Sequence, residues 1–564
     1  MARDNSAHQR LIMLEKAFKK DGFSITEAYQ SGERLGIAAK HDTAVNYDTG
    51  EKKACYYLEG TPYERGYLLG LLAEPSISKM AVSFTDNIIF DFIGLDFFNN
   101  YPLAQKLIVS LLSELSKSTW ASQPRHIQSE TEGMMAGCRR RNRRTSVTLS
   151  RLIVMNVGFD VLCALVYTGS FLRERAPRLS PEHIRLSMMC NAFSVFGKAA
   201  NGGHLFARDF MFSTGGSFQN HLAHILHLPQ HSAGDTGPLH PYISVTAPGI
   251  AGSISAMNIN GVAAGINMSP AANCDPSRIG TNSLLLLREC VMSGATAKEA
   301  ANVIRQTQRG VSWNYVLSDG CTDTALTVEA GASWPKTDFL SYPDRSLLKM
   351  LPDEAFLLNH KAWPVNFGCA ERWCGNPLNM EYLNFNEELW RYYSKTRRHI
   401  RLLPGAMLDS GFINRTPIDK NCPSGWYFAP QRTSDNVHIT TNHFISPHMR
   451  LCGMDPWTLL IAGGHINDIQ WRYDELNSQI RHELSKNGYV NYAAARRIAE
   501  YLAPYGNFPH YYSKNPKSQD GQQTRIEGCI SLFDLKARSV ESHYGYYGDD
   551  WVKTTLPLYF PLDR

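Results

Sequence analysis

The hydrophobic pattern of the chain switches between two periods. Over Ser6–Lys20 the apolar residues Leu11, Ile12, Leu14 and Phe18 recur at near-helical spacing and predict an opening helix. Lys53–Leu58 (KACYYL) predicts a strand, and EGTPYERGYLLG follows it, with a turn at Gly60 and Pro62 and then a helix. Gly66 and Gly70, four residues apart, share one face of that helix. Their cost in helix propensity is offset if another backbone packs closely there. From Ile77 to Leu172 the pattern stays mostly helical, with Glu130–Cys138, a basic run at Arg139–Arg144, and an apolar helix from about Leu149. Arg151, Asn156 and Asp160 interrupt that last apolar stretch, so no membrane span is expected.

After Ser180-Pro181 the period changes to that of strands. Ile184–Ser194 and His204–Phe212 flank an Asn201-Gly202 turn and predict a hairpin. Further strands are expected at His221–Leu228 and Tyr242–Ala247, and a second pair, Gly252–Asn258 and Val262–Met268, spans Asn260-Gly261. Helices over Thr281–Met292 and Thr296–Gln308 precede strands at Trp313–Leu317 and Ala325–Glu329. Residues 332–430, rich in Trp, Pro, Asn and Cys, lose periodicity and read as an insertion. A strand at Val437–Thr441, helices at Asn467–Lys486 and Tyr492–Tyr501, and strands near Ile526–Leu535 close the chain. The class is α+β. The divisions are an N-terminal extension (1–52), a mainly helical segment (53–189), a strand-rich half (190–331), the insertion (332–430) and the remainder of the strand-rich domain (431–564).

Composition narrows the function classes. With 43% hydrophobic and 19% charged residues over 564 positions, the chain has material for a large core. A net charge of +5 over this length is too weak to call for nucleic acid or an anionic membrane as partner. The N-terminus lacks the uninterrupted apolar stretch of a secretory leader, so a cytoplasmic, reducing setting is expected, with most of the twelve cysteines as buried thiols. Cys369 and Cys374 form a lone C-x4-C pair without a matching second pair. His221, His224 and His227 are spaced by three, so on a strand they alternate faces and cannot converge on a metal. No metal or cofactor is therefore expected. Phosphate-loop, dinucleotide, zinc-protease and serine-elbow motifs are missing from the sequence.

One constellation carries chemistry. Cys190 opens CNAFSVFGKAANGGHLFARDF, with Arg208 and Asp209 on the returning strand. A cysteine attacks as thiolate and needs a base or a cation nearby. Were the chain cut before Cys190, the new α-amine, with a reference pKa near ~8, would sit beside its own thiol and could take its proton. Arg208 could stabilise the thiolate, and Asp209 could orient the amine or the arginine. By composition alone Cys190 is also simply one of twelve buried thiols. His443 could act in acid–base chemistry or be tied into the strand network.

The order of motifs adds to this. EGTPYERGYLLG, ETEGMMAGCRRRNRRTSVTLSRLIVMNVGFD, the Cys190 hairpin with NGGHLFARDFMF, APGIAGSISAMNINGVAAGIN, HITTNHF, DIQWRYDEL and SLFDLKARSVESHYG follow one another. In that order they resemble the isopenicillin-N acyltransferase-like family of autoproteolytic acyltransferases and linear amide hydrolases, among the N-terminal nucleophile hydrolases. The resemblance runs from about residue 53 to 540, with 332–430 outside it. It implies a four-layer αββα sandwich with a helical N-terminal segment. It implies Cys190 as attacking thiol, Arg208 as active-site arginine, Asn267 as oxyanion donor, Asn442 as second asparagine and Arg472 as the late arginine of the polar cluster. The family commonly has Asp three positions after the hairpin arginine. Here that position is Met211, and the nearest carboxylate, Asp209, shares its face. The implied activity is cleavage or acyl transfer at a linear amide through a thioester, on a small amide or acyl substrate. Self-cleavage at Met189–Cys190 would leave two associated chains. A phospholipase B-like or ceramidase-like acyl hydrolase, and an inactive binding protein on the same fold, are the other readings.

Overall fold

The computed structural model describes residues 2–46, 49–84, 102–164, 188–212, 218, 220–269, 279–332, 369–374, 436–442, 444, 466–502, 525–546 and 550–561. The fold is mixed α+β, built on two sheets. The larger has ten strands in the order β1 (Phe23–Ser31), β2 (Arg34–Val45), β3 (Lys52–Gly60), β6 (Ala223–Pro229), β7 (Tyr242–Thr246), β8 (Ser255–Asn258), β9 (Val262–Met268), β10 (Trp313–Asp319), β11 (Thr324–Ala330), β12 (Cys369–Trp373). Among the described residues, only the β3–β6 pair of this sheet is parallel. The smaller has the order β13 (Val437–Thr440), β4 (Met188–Phe196), β5 (His204–Phe212), β14 (Arg525–Asp534), β15 (Ser539–Tyr546), β16 (Val552–Thr555), all antiparallel.

Two of the expected divisions carry strands that the sequence pattern does not mark. One is the N-terminal extension, at residues 23–45. They form β1 and β2, joined by a two-residue turn in which Gly32 has φ +61°, and they complete one edge of the larger sheet. The insertion, too, supplies a strand: β12 pairs with β11 and forms the other edge. The expected hairpins are present. Asn201 (φ 50°) and Gly202 (φ 82°) turn β4 into β5, and at the second turn Asn258 Oδ1 accepts from the amides of Asn260 and Val262.

Alternation explains how the two sheets meet. On β4 and β5, Cys190, Ala192, Phe206 and Phe210 belong to the main core between the sheets. Phe193, Val195, Leu205 and Ala207 point the other way, against Tyr473, Leu476 and Ile480 of helix α8 (Ile466–Asn487) and Ala494, Ala495 and Ile498 of α9 (Tyr492–Leu502). Helices α6 (Ser283–Ser293) and α7 (Ala297–Gln306) pack on the larger sheet, over β8 to β11. Buried hydroxyls bridge the facing strands: Ser194 with Ser318 at 2.9 Å, and Thr327 with Thr440 at 2.5 Å.

The N-terminal helices are fixed by close backbone approach and one buried charge cluster. Helix α2 (Pro62–Ser83) starts at Thr61, whose hydroxyl accepts from Glu64 N while the Glu64 carboxylate accepts from Thr61 N. It crosses α4 (Arg125–Arg141), and a β-carbon at Gly66, Gly70, Gly133 or Gly137 would overlap the other helix's backbone. At one end of this crossing Glu130 is buried between two arginines. It accepts from Arg65 at 3.0 Å and from both Arg288 guanidinium nitrogens at 3.0 and 2.6 Å. Those arginines hold its carboxyl at about 2, well below the usual range, against burial, which pushes it up. Two of the three polar interruptions of the apolar run also have buried partners. Asn156 bonds Gly249 O and Ala251 N, and Asp160 accepts from the Ser283 amide at the start of α6. Among the described residues no helix is long and apolar enough to cross a membrane.

Removing the carboxylate from this cluster leaves two buried guanidinium groups uncompensated. Glu130→Ala is predicted to cost about 3–5 kcal/mol of unfolding free energy, measured by urea denaturation. A loss under ~1 kcal/mol would show that the cluster does not hold the N-terminal helices on the core.

Candidate functional site

Five of the six expected site residues meet around the start of β4. Cys190 is fully buried on that strand, and its own backbone supplies the first two contacts. Its N–H donates to Asn442 Oδ1 at 2.8 Å, and its carbonyl accepts from Arg472 Nη1 at 2.8 Å. Arg472 Nη2 also donates to Asn442 Oδ1, at 2.9 Å, which closes a ring of three residues lying 252 and 282 positions from Cys190. Arg472, on the buried face of α8, gives a further bond to Asn191 Oδ1 at 2.5 Å. A charge enclosed this completely is tolerable because several acceptors surround it.

Arg208 enters from the neighbouring strand. In the β4–β5 register it pairs with Ala192 and Phe210 pairs with Cys190, so Arg208 is the diagonal neighbour of Cys190 on the face toward the larger sheet. Its guanidinium donates to the backbone carbonyls of Asp209 and of Ile266 across the sheets. Gly265 on β9 makes room for it: a β-carbon there would lie 2.6 Å from Arg208 Cδ. The guanidinium lies 5.3 Å from the Phe210 ring centre and is wholly buried, so a positive charge is held on the thiol's side of the strand.

The two carboxamides lace β9 to the segment after β13. Asn267 Nδ2 donates to the carbonyls of Thr440 (3.1 Å) and Thr441 (3.4 Å), and Asn442 Nδ2 donates to Met268 O (2.6 Å). Asn267 Oδ1 is buried without a hydrogen-bond partner among the described residues. In the intact chain Cys190 is fully buried, with its thiol in the core between the sheets.

Asp209 is the exception. It pairs with Asn191 and faces the α8–α9 side, opposite to Cys190 and Arg208. Asn191, its partner across the ladder, lies close enough to favour the carboxylate. Burial pushes its carboxyl up to about 7, against the lowering pull of Arg208 and then Arg472. It therefore acts on Arg472 and Arg208 through space rather than reaching the thiol's face.

Asn191 was not among the expected site residues, although a polar residue in step with the apolar Phe193 and Val195 signals a buried partner. His443 lies outside the described residues, as do Cys274, Cys422 and Cys452. His224 and His227 stand apart: one bonds Thr554 Oγ1 at 2.7 Å and the other stacks on Tyr242. Cys369 and Cys374 are not joined as a disulfide: the Cys369 sulfur accepts from Arg309 Nη2 at 3.0 Å, and the Cys374 thiol donates to Val437 O at 3.4 Å. Among the described residues no group of three or more His, Cys, Asp or Glu gathers as metal ligands.

No family model matches the chain. An uncharacterized protein of Archaeoglobus fulgidus is 24% identical over 541 residues, covering 95% of this chain and 69% of its own length. Among solved structures, the chain is similar to a Caenorhabditis elegans ortholog of N-acylethanolamine-hydrolyzing acid amidase. The identity is 8% and the TM-score 0.29, over 61% of this chain and 93% of that one. Two altered forms of conjugated bile acid hydrolase from Clostridium perfringens have TM-scores of 0.30 and 0.32 at 8% and 10% identity, each over 65% of this chain and 92% of theirs.

The raised carboxyl makes a pH prediction. In the unfolded chain an aspartate titrates near ~3.9. With the folded value higher, at about 7, Asp209 favours the fold most below the unfolded value, and that contribution is lost as pH rises through about 7. Asp209→Asn should therefore raise stability at pH ~8 and change it little at pH ~4. Urea denaturation at the two pH values checks this, and a variant destabilised more at the higher pH would contradict it.

Proposed function

We propose that the protein is a cysteine N-terminal nucleophile amidohydrolase or acyltransferase that acts on a linear amide through a thioester on Cys190. The observation that carries this reading is the ring of Cys190, Asn442 and Arg472, which grips the backbone of one particular cysteine from both sides. A merely structural thiol needs no such grip. The arrangement of two facing sheets, with helices against the outer side of each, supports the αββα layering this reading requires.

Activation begins in the uncut chain. The Cys190 thiol attacks the Met189 carbonyl, and the acyl group moves from nitrogen to sulfur. Water hydrolyses the resulting thioester, which frees the thiol and leaves Cys190 with an α-amine. Asn442 Oδ1, which accepts from this nitrogen in the intact chain, would then orient the amine. In turnover the amine takes the thiol proton and Arg208 favours the thiolate on the same face. The sulfur attacks the substrate carbonyl, and Asn267 donates to the oxyanion, a role typically worth ~2.7–4 kcal/mol of barrier. For this its Nδ2 turns from the Thr440 and Thr441 carbonyls to the substrate oxygen. The ammonium returns its proton to the leaving amine. Water, or an acceptor amine, resolves the thioester. No step calls for a cofactor.

The purified protein should yield a fragment beginning at Cys190 by intact mass, and Cys190→Ala should stay whole. On aminomethylcoumarin amides of short- and long-chain fatty acids, Cys190→Ala should lose at least about 10³-fold in turnover. Turnover at the wild-type rate in Cys190→Ala would refute the thiol mechanism. A chain that stays whole and leaves every amide untouched would favour the binding-protein reading.

A further inference from the structure

The segment 332–430 lies outside the family resemblance, yet one of its residues reaches the seam between the sheets. Arg372, on β12, is 6% exposed. Its Nε faces Glu329 Oε1 at 3.4 Å, and Glu329 is fully buried on β11. Its two terminal nitrogens each approach Ile439 O at 3.3 Å, and Nη2 also approaches Thr440 Oγ1 at 3.1 Å and Thr327 Oγ1 at 3.3 Å. Thr327 in turn joins His438 Nε2 at 2.8 Å and Thr440 Oγ1 at 2.5 Å.

The position of this fork gives it meaning. β13 is the edge strand of the smaller sheet and pairs with β4 over only four residues, Val437 to Thr440. An edge strand presents backbone groups with no ladder partner. Arg372 takes one of them, the Ile439 carbonyl, where the ladder is about to end. Immediately beyond lie the Thr440 and Thr441 carbonyls that hold Asn267, and then Asn442, which holds the Cys190 nitrogen. Asn314, opposite Asn267 on β10, also donates to Thr441 O, at 3.2 Å.

We infer that Arg372 is a positioning residue for the Cys190 site. By tying the edge of the larger sheet to the edge of the smaller one, it fixes the height and rotation of residues 439–442, and so the placement of Asn442 and Asn267. The strand β12, from the segment outside the family resemblance, then supports the site through Arg372. This rests on the reading of Cys190 as nucleophile.

Two variants separate positioning from bulk stability. Arg372→Lys keeps a charge beside Glu329 but loses the planar fork. Arg372→Met combined with Glu329→Met removes the pair together, an exchange for apolar side chains that buried ion pairs often tolerate. Both should keep a cooperative thermal transition. In both, kcat on the aminomethylcoumarin amides should fall about tenfold or more while KM stays within about threefold. Deuterium exchange should speed up about tenfold in peptides spanning 437–442. Wild-type kcat, or unchanged exchange, in either folded variant would overturn the inference while Cys190-dependent turnover left the nucleophile reading standing. Turnover that survives Cys190→Ala would overturn both.

Discussion

The structure depends on one constraint: the peptide groups of Cys190 are buried, and their hydrogen bonds are completed by side chains from two distant segments. A buried amide or carbonyl left unmade costs ~1–3 kcal/mol, and a bond to a charged group contributes ~1.5–3 kcal/mol. Asn442 and Arg472 meet these demands and bond to each other as well. Their segments must therefore arrive at fixed positions over β4. α8 is held there by Tyr473, Leu476 and Ile480 on the sheet, and residues 440–442 by the carboxamides and Arg372. Loosening either support loosens the grip on the cysteine.

The same economy of space governs the other charges. Arg208 occupies the volume that a side chain at position 265 would fill, so the glycine on β9 and the arginine on β5 form a matched pair across the sheets. Glu130 sits between Arg65 and Arg288, whose helices come from opposite sides of Cys190 in the sequence. Should the chain be cut before Cys190, this cluster and the parallel β3–β6 pairing would still join the two pieces.

Much of this was legible from residue types. Asn201-Gly202 and Asn260-Gly261 marked both hairpins, and Asn201, Gly202 and Gly261 take positive φ, which few other residues accept. Gly66 and Gly70 announced a close helix crossing, although Gly133 and Gly137, at the same spacing in the partner helix, carry the equal and overlooked signal. β1 and β2 went unread because their exposed faces are polar and dilute the hydrophobic run, even though Ser31-Gly32 flags a turn. Which residues converge on Cys190 came from motif order and not from spacing, since Asn442 and Arg472 lie hundreds of positions away. The face of Asp209 follows from strand alternation once the register is known. Arg372 could not be found at all: its segment lacks periodicity, and its partners are fixed only by two sheet edges meeting in space.

On the proposed mechanism one sulfur, that of Cys190, carries the acyl group. Rapid acid quench of the protein turning over a fatty-acid aminomethylcoumarin amide, followed by peptide mass mapping, tests it directly. An acyl mass is expected on the peptide that contains Cys190 and on no other cysteine peptide. Turnover with Cys190 unmodified at every quench time, or with the acyl group on another residue, would contradict it.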